Sequence, residues 1–310
     1  MYSRFTALKN QSQKDQEELE NSTAAIVGLG ATGSAIAENL ARHGLKLIII
    51  DRDYLEEKDA YSSSIYTPKQ CLKSLPKAKA AENFLEQFTE VESHVESLSP
   101  ENVQLLKSAD IILDGTDNLE TRQLINDYSK KENIPWIYTA AIAEKAYSMP
   151  LINKCFNCMI QKPEKVATCE TDGIMREVAQ KVAASSVQKA VMYLTGDDVP
   201  EKFELVHEGK TLDVESSGCK VCRKESFPHL EQFQTTKTVC GENKYQLEKD
   251  FIKENFGNIE KACNVIAEND FLLRGRYEGY ELTFFRSGRV IAEAENSGHA
   301  EALITEVAGI

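Results

Sequence analysis

The sequence predicts an α/β protein: a doubly wound, mostly parallel sheet followed by a small C-terminal α+β unit. Short apolar runs of the length of a buried strand alternate with helical patterns as far as residue 153. Beyond Cys158 the pattern changes to a long helix, hairpins and short strands. We therefore expect a first domain over 1–228 and a smaller second domain over 229–310. Ligands of such sheets bind at the carboxyl ends of the strands, where functional residues are expected.

The pattern Gly28-x-Gly30-x-x-Gly33 lies near the start of the first domain. It follows an apolar run over 24–27 that is typical of a buried strand, and it leads into a predicted helix over 34–43. Glycines let the backbone approach a phosphate, and the N–H groups of a helix N-terminus favour an anion. The next apolar run ends at Asp51, about 20 residues on, where a carboxylate suits a ribose. The pattern predicts a Rossmann-like nucleotide site without specifying the nucleotide, because dehydrogenases, methyltransferases and adenylating enzymes share it.

The remaining elements follow from composition and periodicity. The charged stretch over 13–20 predicts a solvated helix, and the polar stretch over 54–76, which lacks periodicity, predicts a loop over the nucleotide site. The other elements predicted for the first domain are strands over 47–50, 110–114 and 136–140, helices over 78–88, 119–132 and 174–194, and a hairpin turning at 208–209. Those predicted for the second domain are a strand near Tyr245, a helix over 248–268, a hairpin turning at 286–288 and a helix over 298–307.

Composition limits the classes of function. The chain has 310 residues, 42% of them hydrophobic, which suffices for a large core. A net charge of −13 argues against a general nucleic-acid-binding surface, because neutralising phosphates needs clustered Lys and Arg. The N-terminus lacks the apolar segment of a signal peptide, and no run approaches the roughly 20 apolar residues of a membrane span. We expect a soluble, cytoplasmic protein with neither a nucleic-acid nor a membrane partner.

Four of the eight cysteines form two Cys-x-x-Cys pairs, Cys155 with Cys158 and Cys219 with Cys222. In a reducing compartment such pairs predict a metal site before they predict disulfides. Two pairs supply four thiolates, which is a ligand set of structural zinc and leaves no coordination position for water. The alternatives are a redox-active Cys-x-x-Cys pair and a coincidence of spacing.

A second group of polar residues follows the strand predicted over 110–114. Asp117 lies beyond the carboxyl end of that strand. By itself this position favours a helix N-cap, whereas the glycine pattern across from it favours a carboxylate that holds Mg²⁺. Lys77 follows Pro76 at the start of a predicted helix and could reach a phosphate, although an isolated lysine is usually solvated. No pattern by itself assigns a role to Arg4.

Together these residues resemble the ThiF/MoeB/HesA family of adenylyltransferases, which are relatives of the ubiquitin-activating enzymes. The resemblance covers residues 2–223 and, more loosely, the rest of the chain. It is based on the following motifs: Tyr2-Ser3-Arg4, Asp51-Arg52-Asp53, Pro76-Lys77, Asp114-Gly115-Thr116-Asp117-Asn118 with Thr121-Arg122, and the two Cys-x-x-Cys pairs. Cys169, with Gly173-Ile174-Met175 after it, resembles the segment that holds the family's acceptor-type cysteine.

The resemblance implies that ATP activates a carboxylate as an acyl-adenylate, most often the Gly-Gly C-terminus of a ubiquitin-like sulfur-carrier protein. A carboxylate is already ionised at neutral pH, so the reaction needs no general base. It needs cations and N–H groups that stabilise the α-phosphate in the transition state. The resemblance implies the following nucleotide contacts: Gly28, Gly30, Thr32, Gly33, Asp51, Asp53, Lys77, Asp117 and Asn118.

The resemblance also implies roles in catalysis and assembly. Asp117 would hold Mg²⁺, Lys77 would neutralise phosphate oxygens, and Arg4 would enter the site of a second subunit. The last role implies a homodimer. Cys169 would either accept the acyl group, as a thioester or an acyl persulfide, or be an ordinary buried cysteine.

Two stretches depart from the family pattern and leave other functions open. Where the family has an asparagine and an arginine that touch the phosphates, this chain has Asp59 and Ser62. Residues 140–146 lack the glycines that are usual where an extended protein tail lies. A small carboxylic acid, such as the pyridinol carboxylate of the iron-guanylylpyridinol cofactor, is therefore an alternative substrate. The alternatives of another class are a non-catalytic ATP-binding or scaffold protein and an NAD-dependent dehydrogenase, for which no hydride-transfer residues are recognisable.

Overall fold

The chain forms two compact units in a computed structural model. The residues that the structure describes are 2–9, 11–159, 173–215, 218–224, 226–231, 237–238, 244–249 and 251–309. The first unit comprises Met1–Asp53, Lys58–Tyr66 and Lys77–Phe233, and the second comprises Tyr54–Glu57, Thr67–Pro76 and Gln234–Ile310. Two short stretches that precede Lys77 therefore group with the C-terminal part of the chain. Compactness alone does not define a domain, so the division of the sequence at residue 228 stays a prediction.

The described part of the first unit is built on an eight-stranded sheet with the strand order β3-β2-β1-β4-β5-β6-β7-β8. The strands are β1 (Thr23–Val27), β2 (Lys46–Ile50), β3 (Val91–His94), β4 (Ile111–Asp114), β5 (Trp136–Ile142), β6 (Lys145–Leu151), β7 (Phe203–Leu205) and β8 (Lys210–Leu212). β1 to β5 run parallel, and β6, β7 and β8 extend the sheet from β5 in antiparallel pairs. The prediction of a mostly parallel α/β sheet is confirmed.

Burial on both faces explains why the central strands form. In β2 the four residues after Lys46 are all apolar and buried, and β4 is buried along its whole length. A strand covered on both faces reads as a continuous apolar run and not as an alternation. The core against these strands includes Trp136 and Phe156, whose rings lie edge to face with centroids 5.4 Å apart. The continuous apolar runs in the sequence therefore correspond to strands that are covered on both faces of the sheet.

Both units contain helices. In chain order the described helices are α1 (Gln13–Asn21), α2 (Ala31–Arg42), α3 (Asp59–Ser62), α4 (Pro68–Leu72), α5 (Lys77–Leu85), α6 (Leu119–Glu132), α7 (Phe156–Met159), α8 (Arg176–Leu194), α9 (Lys220–Lys224), α10 (Pro228–Glu231), α11 (Ile252–Ala262) and α12 (Ser297–Ala308). α2 packs against α8, and α8 packs against β5 and β6. Among the helices of the described residues, none has the length and apolar character needed to cross a membrane.

The stretch over 54–76 was predicted as a loop, and that prediction is wrong because the stretch contains α3 and α4. The side chain of Thr67 accepts a hydrogen bond from the N–H of Gln70, and the Gln70 side chain accepts one from the N–H of Thr67. Pro68 occupies the first position of α4. Both features favour a helix start, but a helix this short shows no periodicity in the sequence. α3 belongs to the first unit and α4 to the second.

The described part of the second unit contains a six-stranded antiparallel sheet, in the order β11-β12-β13-β14-β10-β9. Its strands are β9 (Lys237–Thr238), β10 (Lys244–Glu248), β11 (Asn264–Glu268), β12 (Leu272–Tyr277), β13 (Tyr280–Phe285) and β14 (Arg289–Glu293). α11 and α12 pack against each other, and their apolar faces share a core with the sheet. The helix predicted over 248–268 is wrong beyond Ala262, because the β-branched residues Val265 and Ile266 belong to β11. The predicted hairpin at 286–288 and the final helix are confirmed.

Candidate active site

The turn between β1 and α2 packs tightly against the end of β4. Gly28 has a φ of +86°, which favours glycine, and its N–H donates to the carbonyl of Ile50 at 2.8 Å. A Cβ atom on Gly33 would lie 1.9 Å from the carbonyl oxygen of Gly28, and one on Gly115 would lie 2.4 Å from the same oxygen. Contacts within the protein therefore require glycine at positions 33 and 115, and backbone conformation favours it at 28.

Gly30 differs from the other glycines of this turn. A Cβ atom there would meet nothing within 4 Å, so the fold leaves open space above the residue. Gly30 is also the N-cap of α2 and has no side chain to accept from the first N–H groups of the helix. Thr32 lies in that first turn. An uncapped helix N-terminus beneath open space is an arrangement that suits a phosphate.

Asp51 joins the end of β2 to this turn. Its Oδ2 accepts from the N–H of Leu29 at 2.6 Å, and its Oδ1 accepts from the N–H of Asp53 at 2.7 Å. Burial raises the pKa of Asp51 to about 6; the charge of Asp53 adds to the increase and that of Lys77 opposes it. Each carboxylate oxygen keeps a second lone pair, so Asp51 can still accept from a ribose hydroxyl. Asp53 is more open, with 41% of its side chain exposed.

Lys77 is largely, not fully, buried beside these carboxylates, so it is not a solvated surface lysine. Its N–H, at the start of α5, donates to the carbonyl of Asp53 at 2.8 Å. Its Nζ lies 3.4 Å from Oδ1 of Asp59, and only 13% of the Lys77 side chain is exposed. Burial lowers the pKa of Lys77, but the charges of Asp51, Asp53 and Asp59 raise it by more, so the pKa lies above that of an ordinary lysine. The amine therefore stays charged at neutral pH.

The stretch that contains α3 lies on the glycine turn. The hydroxyl of Ser63 donates to that of Ser34, in the first turn of α2, at 2.9 Å. The hydroxyl of Tyr66 donates to the carbonyl of Leu29 at 2.9 Å. These two contacts place Asp59 and Ser62, the residues that depart from the family pattern, near the N-terminus of α2.

Asp114 and Arg122 form a buried ion pair at the end of β4. Nε of Arg122 donates to Oδ2 of Asp114 at 2.7 Å, and Oδ1 accepts from the N–H and the hydroxyl of Thr116. Arg122 also donates to the carbonyls of Thr116 and Thr139. Burial lowers the pKa of Arg122, but the charge of Asp114 and a hydrogen bond to it raise the pKa above the usual value. The pair fixes the loop after β4. The one signal of this role in the sequence is that a charged residue, Asp114, ends an apolar run and Arg122 follows it.

Asp117 and Asn118, in the loop after β4, have different roles. Oδ1 of Asn118 accepts from the N–H of Thr121 at 2.8 Å, so Asn118 is the N-cap of α6. The alternative that Asp117 is the N-cap is therefore wrong. Asp117 is exposed at the same edge of the sheet as the glycine turn. Its carboxylate is placed where a cation could be held, whereas the Asn118 oxygen already caps a helix.

Arg4 lies at the other end of α2 from the glycine turn. The ring of Phe5, its neighbour, packs edge to face on that of His43 with centroids 5.4 Å apart. His43 follows the last residue of α2, a helix of 12 residues, which is about 18 Å long. Arg4 is exposed at this far end. The structure therefore does not bring Arg4 to the glycine turn of its own chain.

The four cysteines of the two Cys-x-x-Cys pairs form one cluster. The Sγ atoms of Cys155 and Cys219 are 3.8 Å apart, those of Cys158 and Cys222 are 3.7 Å apart, and all four lie within 4.8 Å of one another. A tetrahedral ion with metal–sulfur bonds of about 2.3 Å needs sulfur atoms about 3.8 Å apart. The amide of the buried Asn126 donates to Cys155 Sγ at 3.4 Å and accepts from the N–H of Phe156 at 2.8 Å, which orients the first pair. The cluster is suited to a single metal ion.

Two predicted features lie at or beyond the end of β5. Cys169 lies in 160–172, outside the described residues, so its role stays a prediction. In the glycine-free stretch over 140–146, Ala143 has a φ of +52°, a conformation that glycine favours. The N–H of Ala143 donates to the carbonyl of Gly173 at 2.9 Å, and its carbonyl accepts from the N–H of Met175 at 3.2 Å.

Comparison with known proteins identifies the family. The model of the ThiF family matches residues 2–228, which include the glycine turn, the loop after β4 and the cysteine cluster. The chain belongs to the ThiF family. The sulfur carrier protein ThiS adenylyltransferase of Bacillus subtilis is 31% identical over 95% of this chain and 95% of its own length. The expectations of a ThiF/MoeB-type protein and of an enzyme of the adenylyltransferase class are confirmed.

A more distant relative and two solved structures extend the comparison. The adenylyltransferase and sulfurtransferase MOCS3 of Drosophila sechellia is 27% identical over 77% of this chain, which spans 56% of that relative's length. A structure of E. coli MccB with MccA has a TM-score of 0.61 and 19% identity, covering 71% of this chain and 73% of that one. A structure of MccB with ATP has a TM-score of 0.56 and 20% identity, covering 67% and 69%. At these identities the structural likeness concerns the fold alone, and it confirms the predicted fold class.

Proposed function

We propose that this protein uses ATP to adenylate the C-terminal carboxylate of a ubiquitin-like sulfur-carrier protein. The observation that supports this most directly is Lys77, a buried amine kept charged by surrounding carboxylates, near the uncapped N-terminus of α2. A fixed cation beside helix N–H groups is suited to an α-phosphate that gains negative charge in the transition state. The Bacillus subtilis relative, named for adenylation of the sulfur carrier ThiS, supports the choice of substrate.

In this proposal the glycine turn, Asp51, Lys77 and Asp117 have roles that their positions allow. The backbone N–H groups at the N-terminus of α2, from Gly30 to Gly33, bind phosphate oxygens. The carboxylate of Asp51 accepts a hydrogen bond from a ribose hydroxyl. ATP supplies the adenylyl group and releases pyrophosphate when the incoming carboxylate attacks. Lys77 neutralises charge at the phosphates, and the exposed carboxylate of Asp117 holds Mg²⁺. No residue has to remove a proton, since the attacking carboxylate is ionised at neutral pH.

Arg4 extends the proposal to a homodimer. Its side chain is exposed at the far end of α2, about 18 Å along the helix from its own glycine turn. We propose that it enters the site of a partner subunit. A mixture of Arg4→Ala and Asp117→Asn chains should then recover up to about a quarter of wild-type activity, since a random mixture gives half heterodimers, each with one intact site. Two variants that stay inactive when mixed would contradict this arrangement.

Zinc is the proposed occupant of the cysteine cluster. Four thiolates at the separations observed match tetrahedral zinc and leave no coordination position for substrate. The ion therefore has a structural role, in which it joins the residues after β6 to those of α9. Cys169 is a separate proposal: its thiolate would attack the carbonyl carbon of the acyl-adenylate, form a thioester and release AMP as the acyl–phosphate bond breaks. Its replacement by alanine should abolish this acyl transfer and leave adenylation intact.

Pyrophosphate exchange tests the proposed function. Exchange of labelled pyrophosphate into ATP should depend on a carrier protein that ends in Gly-Gly, and it should disappear when that tail is removed. Lys77→Gln and Asp117→Asn should each reduce the exchange rate by at least about a hundredfold, because each removes a charge that stabilises the transition state. The exposed Asp213→Asn should not change it.

The same assay separates the alternatives. Exchange that depends on small carboxylic acids and not on the protein tail would replace the proposed substrate with the alternative suggested by the glycine-free stretch over 140–146. Exchange with neither class would favour a non-catalytic ATP-binding or scaffold protein. Binding of NADH in preference to ATP, detected as a change in NADH fluorescence on titration, would favour a dehydrogenase.

A further inference from the structure

The candidate site contains a largely buried ion pair between Lys77 and a carboxylate. Nζ of Lys77 lies 3.4 Å from Oδ1 of Asp59, and only 13% and 7% of the two side chains are exposed. An asparagine side chain at position 59 would accept a hydrogen bond from the lysine without cancelling its charge. In this chain the cation expected to meet the phosphates is already paired with an anion.

The position of Asp59 makes this pairing relevant to a bound nucleotide. Asp59 is the first residue of α3, and Ser63, directly after α3, is hydrogen-bonded to Ser34 in the first turn of α2. The phosphates of a nucleotide are expected at that helix N-terminus. A phosphate that reaches Lys77 therefore also approaches the carboxylate of Asp59. Little solvent separates the groups, so their charges are weakly screened.

We propose that Asp59 is a positioning residue that competes with the nucleotide phosphates for Lys77. It holds the amine in place while the site is empty, and it lowers affinity most for the nucleotide with the greatest phosphate charge. The reason is that the Coulomb energy between Asp59 and the ligand scales with the ligand's charge, which increases from AMP to ADP to ATP. This inference rests on the proposed function in one respect: it requires that a nucleotide binds beside Lys77.

Equilibrium binding of ATP, ADP and AMP to the full chain tests this proposal. Isothermal titration calorimetry would compare wild type, Asp59→Asn and a control, Asp213→Asn, at fixed free Mg²⁺ and again with a chelator. The control has the same change in a pair of the same separation, because Lys202 Nζ also lies 3.4 Å from Asp213 Oδ1. In that pair 45% and 79% of the two side chains are exposed, so water screens the charges.

The expected result is a graded one. Asp59→Asn should bind ATP about tenfold more tightly than wild type and ADP more tightly by a smaller factor. Its affinity for AMP should stay within about twofold of wild type, and the difference for ATP should be largest when a chelator removes Mg²⁺. In turnover the same variant should lower the KM for ATP without a matching increase in kcat. The control should leave all three affinities unchanged. A purely structural role of Asp59 predicts no dependence on the number of phosphates.

Several outcomes would overturn the proposal. An equal change for all three nucleotides, or weaker ATP binding in a variant that melts at the wild-type temperature, would show that Asp59 does not compete for Lys77. If Asp59→Asn fails to fold, Asp59→Ser should show the same gradation. Graded binding without carrier-dependent exchange would leave this inference standing and contradict the proposed function. Ungraded binding with normal exchange would overturn this inference and leave the proposed function standing. If neither wild type nor Asp59→Asn binds ATP, both are contradicted.

Discussion

Gly30 and Gly33 belong to one turn, yet alanine at each position should affect a different property of the protein. At Gly33 a Cβ atom would lie 1.9 Å from the backbone oxygen of Gly28. Alanine within a helix gains about 1 kcal/mol over glycine, whereas overpacking against backbone that cannot rotate away costs about 3 kcal/mol or more. We expect Gly33→Ala to lower the free energy of unfolding by about 2 kcal/mol or more.

At Gly30 the same substitution meets no protein atom within 4 Å. Alanine replaces glycine at a helix N-cap there, which costs at most about 1 kcal/mol. The added methyl group would instead occupy the space assigned to the phosphates. We expect Gly30→Ala to keep nearly wild-type stability and to weaken ATP binding at least about tenfold, which corresponds to about 1.4 kcal/mol.

Urea denaturation and ATP titration of both variants would separate the two effects. Gly257→Ala is the matched control, because Gly257 lies within α11 and its Cβ would also meet nothing within 4 Å. That control should gain up to about 1 kcal/mol of stability and bind ATP normally. Unchanged ATP affinity in Gly30→Ala would show that the phosphates do not lie over this turn. Wild-type stability in Gly33→Ala would refute the packing argument.

Four further predictions concern the ion pair, the metal cluster, a buried acid and a strained turn. Arg122→Met leaves the carboxylate of Asp114 buried without its partner and should cost about 3–5 kcal/mol of unfolding free energy, measured in urea; a loss below 1 kcal/mol would mean that the pair is not desolvated. Elemental analysis should find one zinc ion per chain, and Cys155→Ser should lose it and lower Tm by about 5 °C or more; full metal content in the variant would contradict the cluster. Because burial raises the pKa of Asp51 to about 6 from 3.8, the folded chain binds a proton that the unfolded chain has released, so the contribution of Asp51 to stability falls as the pH rises from about 4 to about 6. The stability of the wild type relative to Asp51→Asn should therefore decrease across that window, and a difference that grows with pH would have the wrong sign. Ala143→Gly should raise the free energy of unfolding by about 0.5–1 kcal/mol, because φ at this position is +52°; a loss of stability would show that this conformation carries no strain.

The sequence by itself determined the features that depend on neighbours along the chain. The apolar runs predicted β1, β2, β4 and β5, because strands buried on both faces need continuous apolar residues. The spacing of Gly28, Gly30 and Gly33 predicted the turn into α2, and the paired spacing of the cysteines predicted a metal site. Together with the family resemblance, these local signals were sufficient for the fold class and for the adenylyltransferase assignment.

Elements with weak local signals were predicted less well. α3 and α4 are too short to show periodicity, so the stretch over 54–76 was interpreted as a loop. β11 follows α11 without a glycine or proline between them, so the predicted helix ran through Cys263 and into the strand. The deciding interaction is the side-chain cap of Thr67 for α4 and the pairing with β12 for β11, and neither is visible as a hydrophobic period.

Only the tertiary structure decided what the charged residues do. Lys77 and Asp59 are neighbours because α3 and the start of α5 meet beside the glycine turn, and Asn118 takes the N-cap that leaves Asp117 exposed. Arg4 precedes α1 in the sequence, and only the fold places it at the end of α2 opposite the glycine turn. The strength of a charge interaction depends on distance and on exclusion of water, and both are properties of the folded chain that the order of residues does not reveal.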